Sequence, residues 1–174
     1  MNNNTFLHKY IKPLINKNDV CLDMTLGNGN DSLLLCELAK KVYGFDISKQ
    51  AIENSKQRLV NHNNIEYIND NHINVDEYIR EPIKLAIFNL GYLPHSNEIS
   101  VTKAEETLIA FEKEYKLIQK DGYVIITFYL GHKGGKEEYY LLDDYINKNR
   151  LLILETYRQD KIDSPITYII KKIN

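Results

Sequence analysis

Asp19-Val20-Cys21-Leu22-Asp23-Met24-Thr25-Leu26-Gly27-Asn28-Gly29-Asn30-Asp31 decides the fold. An apolar run short enough for a buried strand ends in a turn that holds two glycines one residue apart. Leu33, Leu34, Cys36, Leu38 and Ala39 then recur at helical spacing over 31–40. A strand, a glycine turn and a helix in that order aim the helix's free first-turn amides back at the turn. Glycine lets the backbone bend sharply and approach a ligand closely. In open parallel sheets, ligands bind beyond the carboxyl ends of the strands, which is where this turn lies.

Outward from that unit, apolar periodicity predicts a short helix at 5–16, strands at 19–25 and 41–47, and a helix at 48–60 with Ser48 as its N-cap. A strand at 65–68, a short helix at 75–79 and a strand at 84–90 follow. The long helix at 102–119 opens with Thr102 and Glu105 at capping-box spacing. The strand at 122–130 (GYVIITFYL) is the most apolar, and a helix at 136–148 follows it. Strands alternating with helices indicate a parallel sheet. The last two strands, 151–157 and 166–172, are joined only by a polar stretch and so should form an antiparallel hairpin. The expectation is one Rossmann-like α/β domain over 1–174, with a seven-stranded, mostly parallel sheet, its last strand reversed, and helices on both faces.

A chain of 174 residues that is 43% hydrophobic and 26% charged suits one soluble globular domain. No apolar run reaches the ~20 residues that span a bilayer, and the N-terminus lacks a signal-peptide pattern, so a cytoplasmic protein with no membrane partner is expected. Cys21 and Cys36 read as core residues, with no metal site suggested. A net charge of −2 neither advertises nor excludes a nucleic-acid partner, since a local basic patch can hold a few phosphates.

The turn does not complete G-x-G-x-x-G, because Ser32 stands at the third position, and no Gly-Lys-Ser/Thr follows. Asp46, about 20 residues on at the end of the second strand, suits a ribose diol. Loop, spacing and acid together fit adenosine without phosphates, that is, S-adenosylmethionine. Asp23 and Asp31 add negative charge where a methionine ammonium and a sulfonium would lie. His72, near the expected adenine edge, is either a base contact or an ordinary loop histidine, and Asp46 is alternatively a helix cap. The candidate cofactor set is Asp23, Thr25, Gly27, Asn28, Gly29, Asn30, Asp31, Asp46, Ile47, Asn71, His72 and Asn89.

Asn89-Leu90-Gly91-Tyr92-Leu93-Pro94, closing the fourth strand, resembles the Asn/Asp-Pro-Pro-Tyr motif of amino-group methyltransferases, with Leu90-Gly91 in place of the two prolines. Together with 25–31 and Gly131-His132-Lys133-Gly134-Gly135-Lys136, it is similar over essentially the whole chain to one bacterial family. That family was long labelled rRNA methylases and is understood as class I, S-adenosylmethionine-dependent tRNA wobble-uridine methyltransferases. They convert 5-aminomethyl-(2-thio)uridine to its methylaminomethyl form. The resemblance implies that Asn89 accepts hydrogen bonds from the target amine and that the Tyr92 ring stacks on the substrate. It also implies that the partner is the anticodon loop of tRNA.

Leu90, Gly91, Tyr92, His132, Lys133, Lys136 and Arg158 are the candidate substrate and tRNA contacts. His132 is either a solvated loop residue or a proton acceptor, and Lys161 sits on the last hairpin loop. Lys171 and Lys172 read as a solvated strand end. Tyr139 and Tyr140 suit either core packing or a homodimer face. A methyltransferase for a small-molecule amine and a non-catalytic Rossmann module are the alternatives.

Overall fold

The computed structural model describes residues 9–90, 104–131, 133–158 and 163–174. Thr102, Gly91, Tyr92, His132 and Lys161, singled out above, lie outside the described residues. The elements run β1 (Val20–Asp23), α1 (Asn30–Leu38), β2 (Lys41–Phe45), α2 (Lys49–Arg58), β3 (Ile65–Ile68), a 3-10 turn (His72–Asn74), α3 (Val75–Tyr78) and β4 (Ile83–Leu90). They continue with α4 (Ala104–Leu117), β5 (Ile118–Phe128), α5 (Gly135–Lys148), β6 (Leu152–Arg158) and β7 (Ile166–Lys171). Residues 9–11 are also helical.

The strands lie in the order β3-β2-β1-β4-β5-β7-β6. β1 pairs in parallel with β2 on one side and β4 on the other, so the chain reverses its direction of growth there. That reversal opens a crevice at the carboxyl ends of β1 and β4, the place where open α/β sheets bind ligands.

Side chains alternate across the sheet, as a strand's period of two demands. Leu22, Phe88, Ile126 and Phe128 join the core beneath α4 and α5, together with Phe111 and Leu142. Cys21, Ile87, Ile125 and Ile169 face the other way, against Leu34, Leu35 and Cys36 of α1. Both cysteines are buried and free.

β7 is antiparallel to both β5 and β6, which makes it the one strand reversed among the described residues. Arg158 and Phe128 both pair with Ile166, so the end of β6 lies level with the end of β5. β5 begins four residues before the expected Gly122, at Ile118. The polar residues there give no strand signal. A register shift between Ile83 and Leu85 and the positive φ of Asp121 (58°) admit them.

Lys172 is not a solvated strand end. Its ammonium donates to the Tyr115, Lys116 and Ile118 carbonyls at 3.0, 3.3 and 2.7 Å, closing the last turn of α4. Lys171 pairs with Asp121 at 2.7 Å. Among the described residues no helix is long and apolar enough to cross a membrane.

Candidate active site

The glycine turn is built from both sides. Gly27 and Gly29 have φ of 50° and 75°, in the left-handed region that favours glycine. A Cβ on Gly29 would also stand 3.1 Å from Ser55 Oγ and 3.3 Å from Leu59 Cδ1, so those side chains would have to give by a few tenths of an ångström. Ser55 Oγ donates to the Gly27 carbonyl at 2.7 Å, and Asn54 Nδ2 to Asn28 Oδ1 at 3.1 Å. The sequence reading missed these two α2 residues. The available signal for Ser55 was its helical phase with the apolar Ala51 and Ile52, which the structure shows buried beside it.

Ser32, where a dinucleotide motif would have glycine, is buried and donates to Asp23 Oδ2 at 2.7 Å, while Thr25 N–H donates to Asp23 Oδ1 at 3.1 Å. Asp23 is therefore corrected from a ligand-facing charge to an internal strut, 1% exposed. Burial, and next the nearby charge of Asp31, push its carboxyl up to about 7 against the pull of those two donors.

Asp46 holds the turn from the second strand. Its Oδ2 accepts the Gly27 N–H and its Oδ1 the Ser48 N–H, both at 2.8 Å. The helix cap is Ser48, whose Oγ accepts the Ala51 N–H at 3.3 Å, so Asp46 is not the cap. Each Asp46 oxygen keeps a lone pair for a further donor. Burial raises its pKa, opposed by the Ser48 and Gly27 amides. Asn69 Nδ2 bridges the Asp46 and Ile47 carbonyls at 2.9 and 3.0 Å, and the Ile47 side chain beside them is 54% exposed.

Beyond β3, Asn71 Oδ1 accepts the Ile73 N–H at 3.0 Å and starts the 3-10 turn. His72 is not a solvated loop histidine. Its ring meets Phe88 edge-on at 4.9 Å, and Nε2 is buried without a partner among the described residues. Burial pulls its pKa down to about 4, partly offset by a hydrogen bond to the Met24 backbone, so the ring is neutral near pH 7.

At the β1–β4 crevice, Asn89 N–H donates to Thr25 Oγ1 at 2.9 Å and Asn89 Nδ2 donates to Asp31 Oδ2 at 2.7 Å. A carboxylate oxygen accepts only, so this contact assigns the amide and leaves Asn89 Oδ1 turned away. Oδ1 is buried, and no described residue donates to it. The structure thus brings Thr25, Asp31 and Asn89 together, with Leu90 buried beside them.

The flanking helices are tied across the same end by Thr107 Oγ1 donating to Glu138 Oε1 at 2.9 Å, a buried pair the sequence reading missed. Lys133 is exposed, and Lys136 pairs with Asp163 at 3.1 Å. Arg158 is exposed at the level of the crevice, but on the edge strand, three strand spacings or about 14 Å from β4. Tyr139 packs on Phe128, whereas Tyr140 is 67% exposed. Among the described residues no group of His, Cys, Asp or Glu is arranged to hold a metal.

Residues 42–170 match the model of the family described as "Putative rRNA methylase". The chain belongs to this methylase family. SMU.1697c of Streptococcus mutans, described as "a putative methyltransferase" and solved in complex with SAH, superposes with a TM-score of 0.88 at 31% identity, covering 99% of each chain. An rRNA methylase from Streptococcus thermophilus superposes at 0.81 with 31% identity over 97% of this chain and 95% of its own. The chloroplastic tRNA (mnm(5)s(2)U34)-methyltransferase of Arabidopsis thaliana is 31% identical over 147 residues, 75% of this chain. The chain spans about half of that relative, 54% of its length.

This family member is a methyltransferase dependent on S-adenosylmethionine, which sets aside the non-catalytic module. The residues present fit that cofactor. A half-buried carboxylate with spare lone pairs, an exposed apolar side chain next to it and two left-handed glycines match a ribose, a base and a close backbone approach.

Proposed function

We propose that this methyltransferase transfers a methyl group to the amine of 5-aminomethyl-(2-thio)uridine at the tRNA wobble position, as a single cytoplasmic domain over 1–174. One observation supports the reading most: Asn89 Oδ1 is a buried acceptor with no donor among the described residues, at the crevice between β1 and β4. A buried polar atom left unsatisfied costs about 1–3 kcal/mol, so its presence there fits a ligand that completes it. An amine N–H is such a donor, and the Asn89-to-Tyr92 segment is the part of the chain similar to amino-group methyltransferases. The chloroplast relative, named for a tRNA U34 substrate, supports the RNA half of the proposal.

In this account Asp46 takes the ribose hydroxyls, and Ile47, Asn71 and His72 border the base. The backbone of Thr25, Gly27, Asn28, Gly29 and Asn30, with Asp31, surrounds the amino-acid end. When bound, S-adenosylmethionine supplies an electrophilic methyl group on a positively charged sulfur. Asn89 Oδ1 holds the neutral amine so that its lone pair faces that carbon, and Tyr92 stacks on the displaced base, with Leu90 and Gly91 setting the approach. Such positioning supplies a share of the roughly 7–11 kcal/mol available from making the step effectively unimolecular. Asn89 transfers no proton. In this reading His132 is the candidate proton acceptor, and Lys133, Lys136 and Arg158 would contact phosphates of the anticodon arm.

A small-molecule amine is the second reading. It is favoured by the net charge of −2 and by the engagement of Lys136 with Asp163. The test is Asn89→Ala: cofactor affinity by calorimetry should stay within a few-fold while turnover on undermethylated tRNA disappears. A variant of normal activity contradicts the role.

A further inference from the structure

We infer that Asp31 is a positioning residue for methyl transfer, its carboxylate fixing which face of the Asn89 amide meets the amine. The inference rests on the amine-transfer reading above and adds a residue of the cofactor loop to the acceptor site.

An asparagine amide presents nearly the same shape with oxygen and nitrogen exchanged, and the two orientations have opposite chemistry toward an amine. Held with Oδ1 outward, the group accepts the amine N–H and leaves the nitrogen lone pair free for the methyl group. Flipped, Nδ2 would donate to that lone pair and block attack. The choice is made by Asp31, whose Oδ2 takes the Nδ2 hydrogen at 2.7 Å, a distance typical of charge-assisted bonds. The Asn89 backbone is anchored independently, its N–H on Thr25 Oγ1 at 2.9 Å, so the side chain alone is left to turn. Asp31 stands in the first turn of α1, directly after the glycine turn, and the same contact therefore ties the cofactor loop to the acceptor strand.

The arrangement predicts a rescue. Asn89→Asp sets two carboxylates against each other. The double variant D31N/N89D reverses the bond, with the amide at position 31 donating to a carboxylate at 89 that keeps an oxygen for the amine. With saturating cofactor and undermethylated tRNA, kcat of N89D should fall by about tenfold or more, the order expected of a coupled contact pair, and the double variant should recover most of it. A double variant no faster than the slower single one overturns the inference, because a carboxylate needed only for cofactor charge gives no rescue. A second readout needs no substrate. The side-chain amide resonance of Asn89 in ¹⁵N-labelled protein, assigned by its loss in N89D, should move in D31A. An unmoved resonance overturns the inference as well. A moved resonance in a protein that leaves tRNA unmethylated instead upholds Asp31 and removes the tRNA reading.

Discussion

Replacing Asp23 by asparagine should change how stability depends on pH, in a direction the buried loop dictates. Asp23 is 1% exposed, and burial together with the charge of Asp31 carries its carboxyl from the ordinary 3.8 up to about 7. Between those values the folded protein holds a proton that the unfolded chain has released, so stability falls as pH rises through that window and levels off above it. A gap of that size corresponds to roughly 4 kcal/mol. His72 works in the opposite sense. Its pKa lies at about 4 in the fold against an ordinary 6.5, so its stabilising share is present above pH 6.5 and lost as pH falls toward 4, roughly 3 kcal/mol in all. From pH 4 to 6.5 the two slopes oppose each other, which hides both in the wild type.

In D23N the amide can still accept the Thr25 N–H and can donate to Ser32, whose hydroxyl is free to reorient. The difference in unfolding free energy between D23N and wild type, from urea titrations at several pH values, should therefore grow by about 4 kcal/mol from pH 4 to about 8 and then stay flat. A difference that does not change with pH would refute the buried, Asp31-coupled carboxyl.

Three further outcomes follow from the same geometry. Asp46→Ala should weaken cofactor binding by at least about tenfold, since hydrogen bonds to a charged group contribute about 1.5–3 kcal/mol, and an unchanged calorimetric affinity would contradict the ribose role. Gly29→Ala places a side chain at φ 75° against Ser55 and Leu59 and should lose about 1–2 kcal/mol from the backbone alone, read as a lower urea midpoint. Glu114 is fully buried with neither oxygen hydrogen-bonded among the described residues, and burial holds its carboxyl well above the usual range. Glu114→Met should accordingly gain about 1–3 kcal/mol at pH 8, and a destabilised variant would show a partner for that carboxyl.

Much of the architecture was legible because apolar runs report burial directly. Val20–Asp23, Lys41–Phe45 and Ile65–Ile68 lie where their runs placed them, and Ser48 caps α2 as its position suggested. The early start of β5 was not legible, since Gln119, Lys120 and Asp121 are polar and enter the strand through a register shift that only the neighbouring strand reveals. The glycine turn and Asp46 were readable from spacing. The inward turn of Asp23 was not, because the serine that takes its charge comes from the next helix, across space. For His72 two readings stayed open for the same reason: nothing local announces that Phe88 and the Met24 backbone enclose it, which removes the solvated-loop alternative. Asp31 was read as a charge for the cofactor, and its bond to Asn89 spans 58 positions that periodicity cannot connect.

The central claim is the acceptor, and product analysis tests it most directly. Purified protein would be incubated with labelled S-adenosylmethionine and tRNA from cells lacking this gene, and the digested nucleosides examined by mass spectrometry. The account predicts a new, labelled 5-methylaminomethyl-(2-thio)uridine, formed by wild type and not by Asn89→Ala. Cofactor binding with no labelled wobble nucleoside would contradict it and move the small-molecule amine ahead.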